Sequence, residues 1–118
     1  MADAAFLALD LGTSELKAGL ITAAGDALAE GAAGYATDFD AATGRAEQDP
    51  EAWWAAVVSA VRGMVRDAAP RPAGGPRIDG ICVVGQGPTL VAAADDGAPV
   101  RPAITWLDTR ARADLAAL

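Results

Sequence analysis

The alternation of apolar and polar residues divides the start of the chain into three strands. A continuous apolar run, Ala5–Leu9, is typical of a strand that is buried on both faces. Two further strand-like segments, 16–22 and 27–35, follow short turns at 12–15 and 24–26. Connections this short favour antiparallel neighbours, so we predict a three-stranded meander.

A helix is predicted after residues 37–48, which we expect to form a loop. Asp49 can cap free amides, Pro50 suits the first helical position, and Glu51 faces the positive end of the helix dipole. An apolar stripe then recurs at helical spacing: Trp54, Val57, Val58, Val61, Met64 and Val65. Proline and glycine at 70–76 predict a linker that ends this helix.

A fourth strand is predicted at 78–84, and the helical crossover before it favours parallel pairing with an earlier strand. Cys82 lies inside this apolar strand and is expected to be an inert core residue. The order β-β-β-α-β implies an α/β architecture with a mixed sheet and a helix on one face. No clear linker divides the chain into two domains. The remaining predictions are a loop at 85–88, a short strand at 89–94, a turn at 95–97, an extended segment at 102–106 and a helix at 109–118.

Composition excludes several kinds of site. The chain has 118 residues, a net charge of −7, one cysteine and no histidine. The negative charge argues against nucleic acid or an anionic membrane as partner. Without histidine or a second cysteine, any metal must be held by oxygen, as magnesium or calcium are. No basic leader or bilayer-length apolar stretch is present, so we expect a cytoplasmic protein.

Candidate chemistry first appears where the first predicted strand ends. Asp10 ends the apolar run, and Gly12, Thr13, Ser14 and Lys17 follow it. Glycine allows a tight turn, the turn amides and hydroxyls can bind phosphate oxygens, lysine adds a positive charge, and the aspartate can hold Mg²⁺. Phosphoryl transfer requires this combination. The alternative is an ordinary turn that Asp10 caps.

Four separated segments together resemble the FGGY family of carbohydrate kinases, in its xylulokinase-like branch. They occur in the family's order and spacing, and the resemblance extends from Phe6 to about Ala113: LDLGTSELKAGL, EQDPEAWW, IDGICVVGQGPTLV and DDGAPVRPAITWLDTRA. The family belongs to the superfamily of sugar kinases, Hsp70 and actin, in which two ribonuclease H-like lobes close on ATP. The resemblance implies that residues 1–118 are an incomplete N-terminal lobe, without the C-terminal ATP lobe.

The resemblance implies roles for the residues around the first turn. Asp10 would lie at the magnesium ion and the transferring phosphoryl group. Gly12, Thr13 and Ser14 would form the phosphate hairpin, and Lys17 would point towards the ATP phosphates. The residue after Ser14 is a glutamate, where the family usually has glycine, serine or threonine. We expect that carboxylate to point to solvent, because it would repel phosphate.

A second set of implied residues would bind the sugar. The segment Gln86, Gly87, Pro88 and Thr89 aligns with the family's sugar-binding loop. Xylulokinases typically carry Met-His, and glycerol kinases Arg-Glu, where this chain has Gly87 and Pro88. Only Gln86 and Thr89 therefore remain to contact a polyol. The substrate class stays open between a ketopentose, another sugar and a polyol.

Trp106 and Asp108 match the family segment that forms a wall of the sugar site. The alternative is that Trp106 belongs to the core and Asp108 caps the last helix. Trp53 and Trp54 are interpreted as core residues of the helix rather than as sugar-stacking residues. Three arginines are expected at the surface: Arg101, Arg110 and Arg112.

The resemblance implies a parent enzyme that uses ATP and Mg²⁺ to phosphorylate a sugar or polyol. Its general-base aspartate is expected downstream, so this chain would supply no catalytic base and would be inactive alone. A homodimer stays open for the parent. Three alternatives remain: a non-catalytic nucleotide- or sugar-binding lobe of the actin-like superfamily, an acetate-kinase-like or actin-like ATPase, and a structural α/β domain with accidental similarity. A partial lobe should also be marginally stable and prone to association.

Overall fold

The structure is a computed structural model that describes residues 4–67 and 77–115. The predicted linker at 70–76 lies outside these ranges. The elements in chain order are β1 (Ala4–Leu11), β2 (Glu15–Thr22), β3 (Ala27–Gly34), β4 (Asp38–Asp40), β5 (Arg45–Gln48), α1 (Pro50–Asp67), β6 (Arg77–Gly85), β7 (Ala103–Ile104) and α2 (Arg112–Leu115). They divide between two compact units: unit 1 takes in Met1–Tyr35 and Trp53–Gly85, and unit 2 takes in Ala36–Ala52 and Gln86–Leu118.

Unit 1 contains the predicted mixed sheet, in the order β3-β2-β1-β6. Strands β1, β2 and β3 form the antiparallel meander, and β6 pairs in parallel with β1. The sequence prediction of β-β-β-α-β with a crossover helix is therefore confirmed. The second turn of the meander is also as predicted: Gly25 adopts a φ of 96°, and the Asp26 amide donates to Thr22 Oγ1 at 3.1 Å.

The core of unit 1 lies between α1 and one face of this sheet. Its buried members are Leu7, Leu9, Leu16, Ala18, Ala56, Ala60 and Met64. Strand β3 can approach the helix closely because residue 31 is glycine. A Cβ at Gly31 would lie 2.8 Å from the Ala60 carbonyl oxygen and 2.9 Å from Met64 Cγ. The small residues of the third strand thus serve helix–sheet packing.

The predicted orientation of α1 is wrong in part. The helix begins at Pro50 as expected, but Trp54 is 64% exposed and Val65 69% exposed. The buried residues that face the sheet are Ala56, Ala60 and Met64, and Val57 and Val61 of the predicted stripe pack against this core while partly buried. The prediction of Trp54 as a core residue is therefore wrong, and Trp53 is only half-buried. The prediction from hydrophobicity placed the largest apolar side chains in the core, whereas close packing of α1 against β3 favours small ones such as alanine.

Strands β1 and β6 are less buried than their apolar sequences predict. Strand β1 alternates, with Leu7 and Leu9 buried but Phe6 41% exposed, so it is covered on one face rather than two. Strand β6 is exposed along nearly its whole length, with Ile81 at 66%. Cys82 is likewise exposed, which contradicts the prediction of a core cysteine. In the described part of the chain, one helix covers one sheet face, and β6 pairs with β1 alone.

Unit 2 contains a second, three-stranded sheet in the order β4-β5-β7. The predicted loop at 37–48 is therefore wrong, since it contains β4 and β5. These strands are short and polar, and their hairpin depends on a turn at Asp40. Its carboxylate accepts from the Ala42 amide at 2.9 Å and from Thr43 Oγ1 at 2.8 Å. The turn closes at Gly44, whose φ of 77° favours glycine.

The C-terminal predictions are confirmed in part. The turn at 95–97 is present, with a φ of 84° at Gly97. The predicted strand at 89–94 is reduced to isolated bridges at Leu90 and Ala93. The last helix begins at Arg112, three residues later than predicted, and residues 116–118 of that prediction lie outside the described ranges.

Candidate functional site

The predicted phosphate hairpin is the turn between β1 and β2. Asp10 pairs directly with Lys17 across the hairpin, and the turn residues Gly12, Thr13 and Ser14 follow. Because side chains alternate along a strand, Asp10 and Lys17 lie on the sheet face opposite the core. The Gly12 amide donates to the Glu15 carbonyl at 3.0 Å, and a Cβ at Gly12 would lie 3.0 Å from that oxygen. Glycine is thus required here by the close approach of two backbones.

Three charged side chains share this exposed face. Lys17 Nζ lies 3.6 Å from Glu15 Oε1, and the two side chains are 69% and 48% exposed. Glu15 is exposed, as expected, but it also pairs with Lys17, which the resemblance implies would point towards the ATP phosphates. An ion pair between exposed side chains is weak, so an anionic ligand can compete for Lys17.

Asp10 is the one predicted metal ligand of this hairpin, and it is exposed. The described residues contain no group of three or more His, Cys, Asp or Glu side chains that could hold a metal ion together. This arrangement still suits Mg²⁺, which usually keeps several waters and binds one or two carboxylates plus substrate phosphates. The single exposed carboxylate therefore fits a magnesium ion delivered with a nucleotide.

Sequence reasoning missed Tyr35, which holds both ends of the phosphate hairpin. Its hydroxyl donates to the Gly12 carbonyl at 2.5 Å, and its backbone amide donates to the Ser14 carbonyl at 3.1 Å. Burial raises the pKa of the Tyr35 phenol, and the negative charges of Asp10 and Glu15 raise it further. The phenol therefore stays protonated near neutral pH and remains a hydrogen-bond donor.

In unit 2, four of the predicted sugar-site residues line one cavity of about 400 Å³. Its lining comprises Pro88, Thr89, Leu90, Ile104, Thr105, Trp106 and Asp108. Cavities of this size accommodate small ligands. Trp106 is 50% exposed rather than a core residue. Gln86 and Gly87 do not belong to this lining, so the cavity contains only part of the predicted loop.

The Asp108 carboxylate is engaged within the protein. Its Oδ2 accepts from the Ala46 amide at 2.9 Å, and its Oδ1 accepts from the Arg110 amide at 3.0 Å. The Arg110 guanidinium also reaches both oxygens, and the Asp108 side chain is 6% exposed. These contacts, with Arg110 first, hold the pKa of Asp108 well below its usual range. The geometry favours a structural role in which Asp108 supports the cavity wall, and it caps the turn before α2 rather than α2 itself.

A buried glutamate that the sequence analysis overlooked extends this network. Glu47 is 8% exposed and pairs with Arg101 Nη2 at 2.5 Å and with Arg110 Nη2 at 2.6 Å. Hydrogen bonding by Arg110 is the main cause that lowers the pKa of Glu47. Both arginines are partly exposed, as expected, but they also cross-link β5 to the segment around Trp106.

Gln86 is held by a chain of hydrogen bonds that runs through β5. Gln86 Nε2 donates to Gln48 Oε1 at 2.7 Å, and Gln48 Nε2 donates to Thr37 Oγ1 at 2.6 Å. Gln48 is 2% exposed. Within the described residues, Gln86 Oε1 and Thr89 Oγ1 are buried polar atoms with no hydrogen-bond partner. Buried polar atoms are costly when unsatisfied, so two such atoms on one loop point to a polar ligand.

Comparison with known proteins identifies a family that matches nearly the whole chain. The model of the N-terminal domain of the FGGY family of carbohydrate kinases matches residues 5–118. A xylulose kinase from Lactococcus lactis is 36% identical over 104 residues, which are 88% of this chain and 20% of that protein. The chain thus spans about a fifth of the length of the curated relatives it matches.

Solved structures agree with this result. The xylulose kinase of Rhodospirillum rubrum superposes with a TM-score of 0.82 at 29% identity, over 94% of this chain and 22% of that one. The glycerol kinase of Plasmodium falciparum, solved with ADP, superposes with a TM-score of 0.81 at 17% identity, over 98% of this chain and 22% of that one. The latter likeness shows the fold alone. No helix within residues 4–67 and 77–115 is long and apolar enough to cross a membrane.

Proposed function

Because the chain belongs to the FGGY family of carbohydrate kinases, we propose that it is the N-terminal part of an enzyme that transfers the γ-phosphate of ATP to a sugar or polyol hydroxyl. The observation that carries this proposal is the pairing of Asp10 with Lys17 beside a turn closed at Gly12. A carboxylate, a cation and turn amides at one end of a sheet are the groups that phosphoryl transfer needs.

In this proposal the hairpin binds and orients the ATP phosphates. The amides and hydroxyls of Thr13 and Ser14 donate to phosphate oxygens, and Lys17 neutralises part of their charge. Asp10 would hold Mg²⁺, which supplies charge neutralisation at the transferring group when it is bound. The rate enhancement comes from positioning and electrostatic stabilisation, since the protein forms no covalent bond to the phosphoryl group.

The cavity of unit 2 is the proposed sugar-binding surface. Within the cavity, Trp106 offers an apolar face to sugar C–H bonds and Thr89 offers a buried oxygen to a hydroxyl group. Gln86 lies outside the cavity lining and offers a second buried oxygen from the same loop. Gly87 and Pro88 have no polar side chain, so the loop that contains them can form few hydrogen bonds to sugar hydroxyl groups. A ketopentose is the first candidate because the relatives include xylulose kinases, and other ketoses and polyols follow.

The test begins with the reading frame that contains this chain, expressed to its stop codon. ADP release is measured with xylulose, other ketoses and polyols as acceptors. We expect Asp10→Asn to reduce kcat by about 100-fold or more, because the magnesium ion would lose its carboxylate ligand. The matched control is Asp26→Asn at the other turn of the meander, which should leave kcat unchanged.

Two outcomes would contradict the proposal. Full activity of Asp10→Asn would remove the assigned role of the hairpin. Absence of phosphorylation with every acceptor, combined with tight binding of a nucleotide or sugar, would favour a non-catalytic binding lobe. The 118-residue chain itself is expected to be inactive, because the resemblance puts the general base outside it.

A further inference from the structure

Tyr35 contacts the phosphate hairpin twice from one side. It is the only tyrosine of the chain, and it follows directly after β3. Its side chain is partly buried and packs against the core cluster, on the same side as Ala33. Its hydroxyl and its backbone amide bind the carbonyls of Gly12 and Ser14, which are the two ends of the turn.

These bonds determine where the turn amides point. The peptide bond that joins Gly12 to Thr13 is trans, since the cis bond found among the described residues is the one between Gly87 and Pro88. In a trans peptide the carbonyl and the next amide N–H point in opposite directions. Since Tyr35 draws the Gly12 carbonyl towards the core side, the Thr13 N–H is directed to the face that carries Asp10 and Lys17.

We propose that Tyr35 is a positioning residue for the phosphates of the nucleotide: by holding the Gly12 and Ser14 carbonyls, it aims the Thr13 amide at the charged face of the hairpin. This inference rests on the proposed function, because it names a support for the same phosphate site. It concerns orientation alone, and Tyr35 itself does not contact the ligand.

The electrostatics of the hydroxyl are consistent with this role. A fixed carbonyl acceptor needs a permanent donor, and a phenol, whose ordinary pKa is about 10, is protonated near neutral pH. The Gly12 amide is bound separately, to the Glu15 carbonyl, whereas the Gly12 carbonyl accepts from the Tyr35 hydroxyl. Loss of the hydroxyl should therefore loosen the orientation of the Gly12–Thr13 peptide while the ring still packs against the core.

The experiment replaces Tyr35 with phenylalanine in the full-length polypeptide. The Tyr35→Phe variant keeps the aromatic ring, and we expect roughly a three- to tenfold rise in the KM for MgATP with no change in the KM for the sugar. The matched control is Thr22→Val, which removes a hydroxyl from the other turn of the same meander. It should change neither KM. Binding of MgATP by calorimetry is measured for the same proteins, independently of turnover.

The outcomes separate this inference from the proposed function. An active enzyme in which Tyr35→Phe leaves the KM for MgATP unchanged overturns the inference and leaves the function intact. An equal rise in both KM values also overturns it, because a merely structural loss would not select the nucleotide. If no sugar is phosphorylated, weaker MgATP binding by Tyr35→Phe than by the unsubstituted protein still supports the inference. Equal MgATP binding by the two proteins overturns it, as does an unsubstituted protein that binds no MgATP.

Discussion

Gln48 connects β5 to the proposed sugar loop, and its replacement by leucine is a perturbation whose size follows from the contacts. The side chain is 2% exposed and bonds to Gln86 at 2.7 Å and to Thr37 at 2.6 Å. Leucine has a similar volume but no polar atoms, so Gln86 Nε2 loses its partner. A buried donor without a partner costs about 1–3 kcal/mol, and burial of extra apolar surface offsets roughly 1 kcal/mol.

Gln48→Leu should therefore destabilise the protein by about 1 kcal/mol, the middle of the resulting range of roughly 0–2 kcal/mol, and lower its Tm. Gln86 also loses the contact that orients its amide. Because one misdirected hydrogen bond is worth about 0.5–1.5 kcal/mol, the KM for the sugar should rise roughly two- to tenfold, with the KM for ATP unchanged.

Thermal unfolding and steady-state kinetics of the full-length polypeptide measure the two effects separately. Thr37→Val is the control, because it removes only the outer bond of the chain and should leave the KM for the sugar nearly unchanged. A destabilised Gln48→Leu protein with a normal KM would show that the hydrogen bonds are purely structural. A variant with unchanged stability would refute the energetic argument itself.

Three further predictions concern packing, pH and association. Gly31→Ala should lower the free energy of unfolding by about 1–3 kcal/mol in chemical denaturation, because the new Cβ would lie 2.8 Å from a backbone oxygen. The control Gly34→Ala, whose Cβ would lie 3.7 Å from its nearest atom, should leave that free energy nearly unchanged. Equal effects of the two substitutions would contradict the packing argument. The lowered pKa of Asp108 implies a contribution to stability that is complete above its unfolded pKa of about 3.9 and is lost as the pH falls below it. Asp108→Asn should therefore weaken the decrease in unfolding free energy at acid pH. An unchanged decrease would contradict the stabilising role of the Asp108 contacts with Arg110 and Ala46. The exposed apolar face of β6 should make the 118-residue chain self-associate. Ile81→Lys should then lower the weight-average mass measured by sedimentation. A 118-residue chain that is monomeric without this substitution would contradict the prediction.

The architecture of unit 1 was predictable because its signals are local. Turn residues such as Gly25 separate apolar runs, and Asp49 and Pro50 mark the start of α1. What the sequence could not predict was the rotation of α1 about its own axis, which buries Ala56 and Ala60 and leaves Trp54 exposed. That rotation depends on the fit between Ala60 and Gly31, two residues that no periodicity connects.

Unit 2 was poorly predicted because polar contacts between distant residues hold it together. The amide of Ala46 binds Asp108, 62 positions away, and Glu47 binds Arg110, 63 positions away. Short polar strands have no apolar alternation, so β5 resembles a loop until its partners are known. The candidate residues of the hairpin and the sugar loop could be named from the resemblance. Of the residues that contact them, Tyr35 lies in none of the four segments, and Gln48 lies in EQDPEAWW, where the sequence assigns it no role. Their contacts are visible only in the structure.

The position of β1 in the sheet has a consequence for synthesis on the ribosome. Strands β1, β2 and β3 are adjacent along the chain and can pair as soon as they emerge, whereas β6 begins at Arg77. At about 5–20 residues per second, the nascent meander waits several seconds before β6 leaves the ribosome. During that interval one edge of β1 has no strand beside it, and its unpaired backbone groups can pair with an extended segment of another chain.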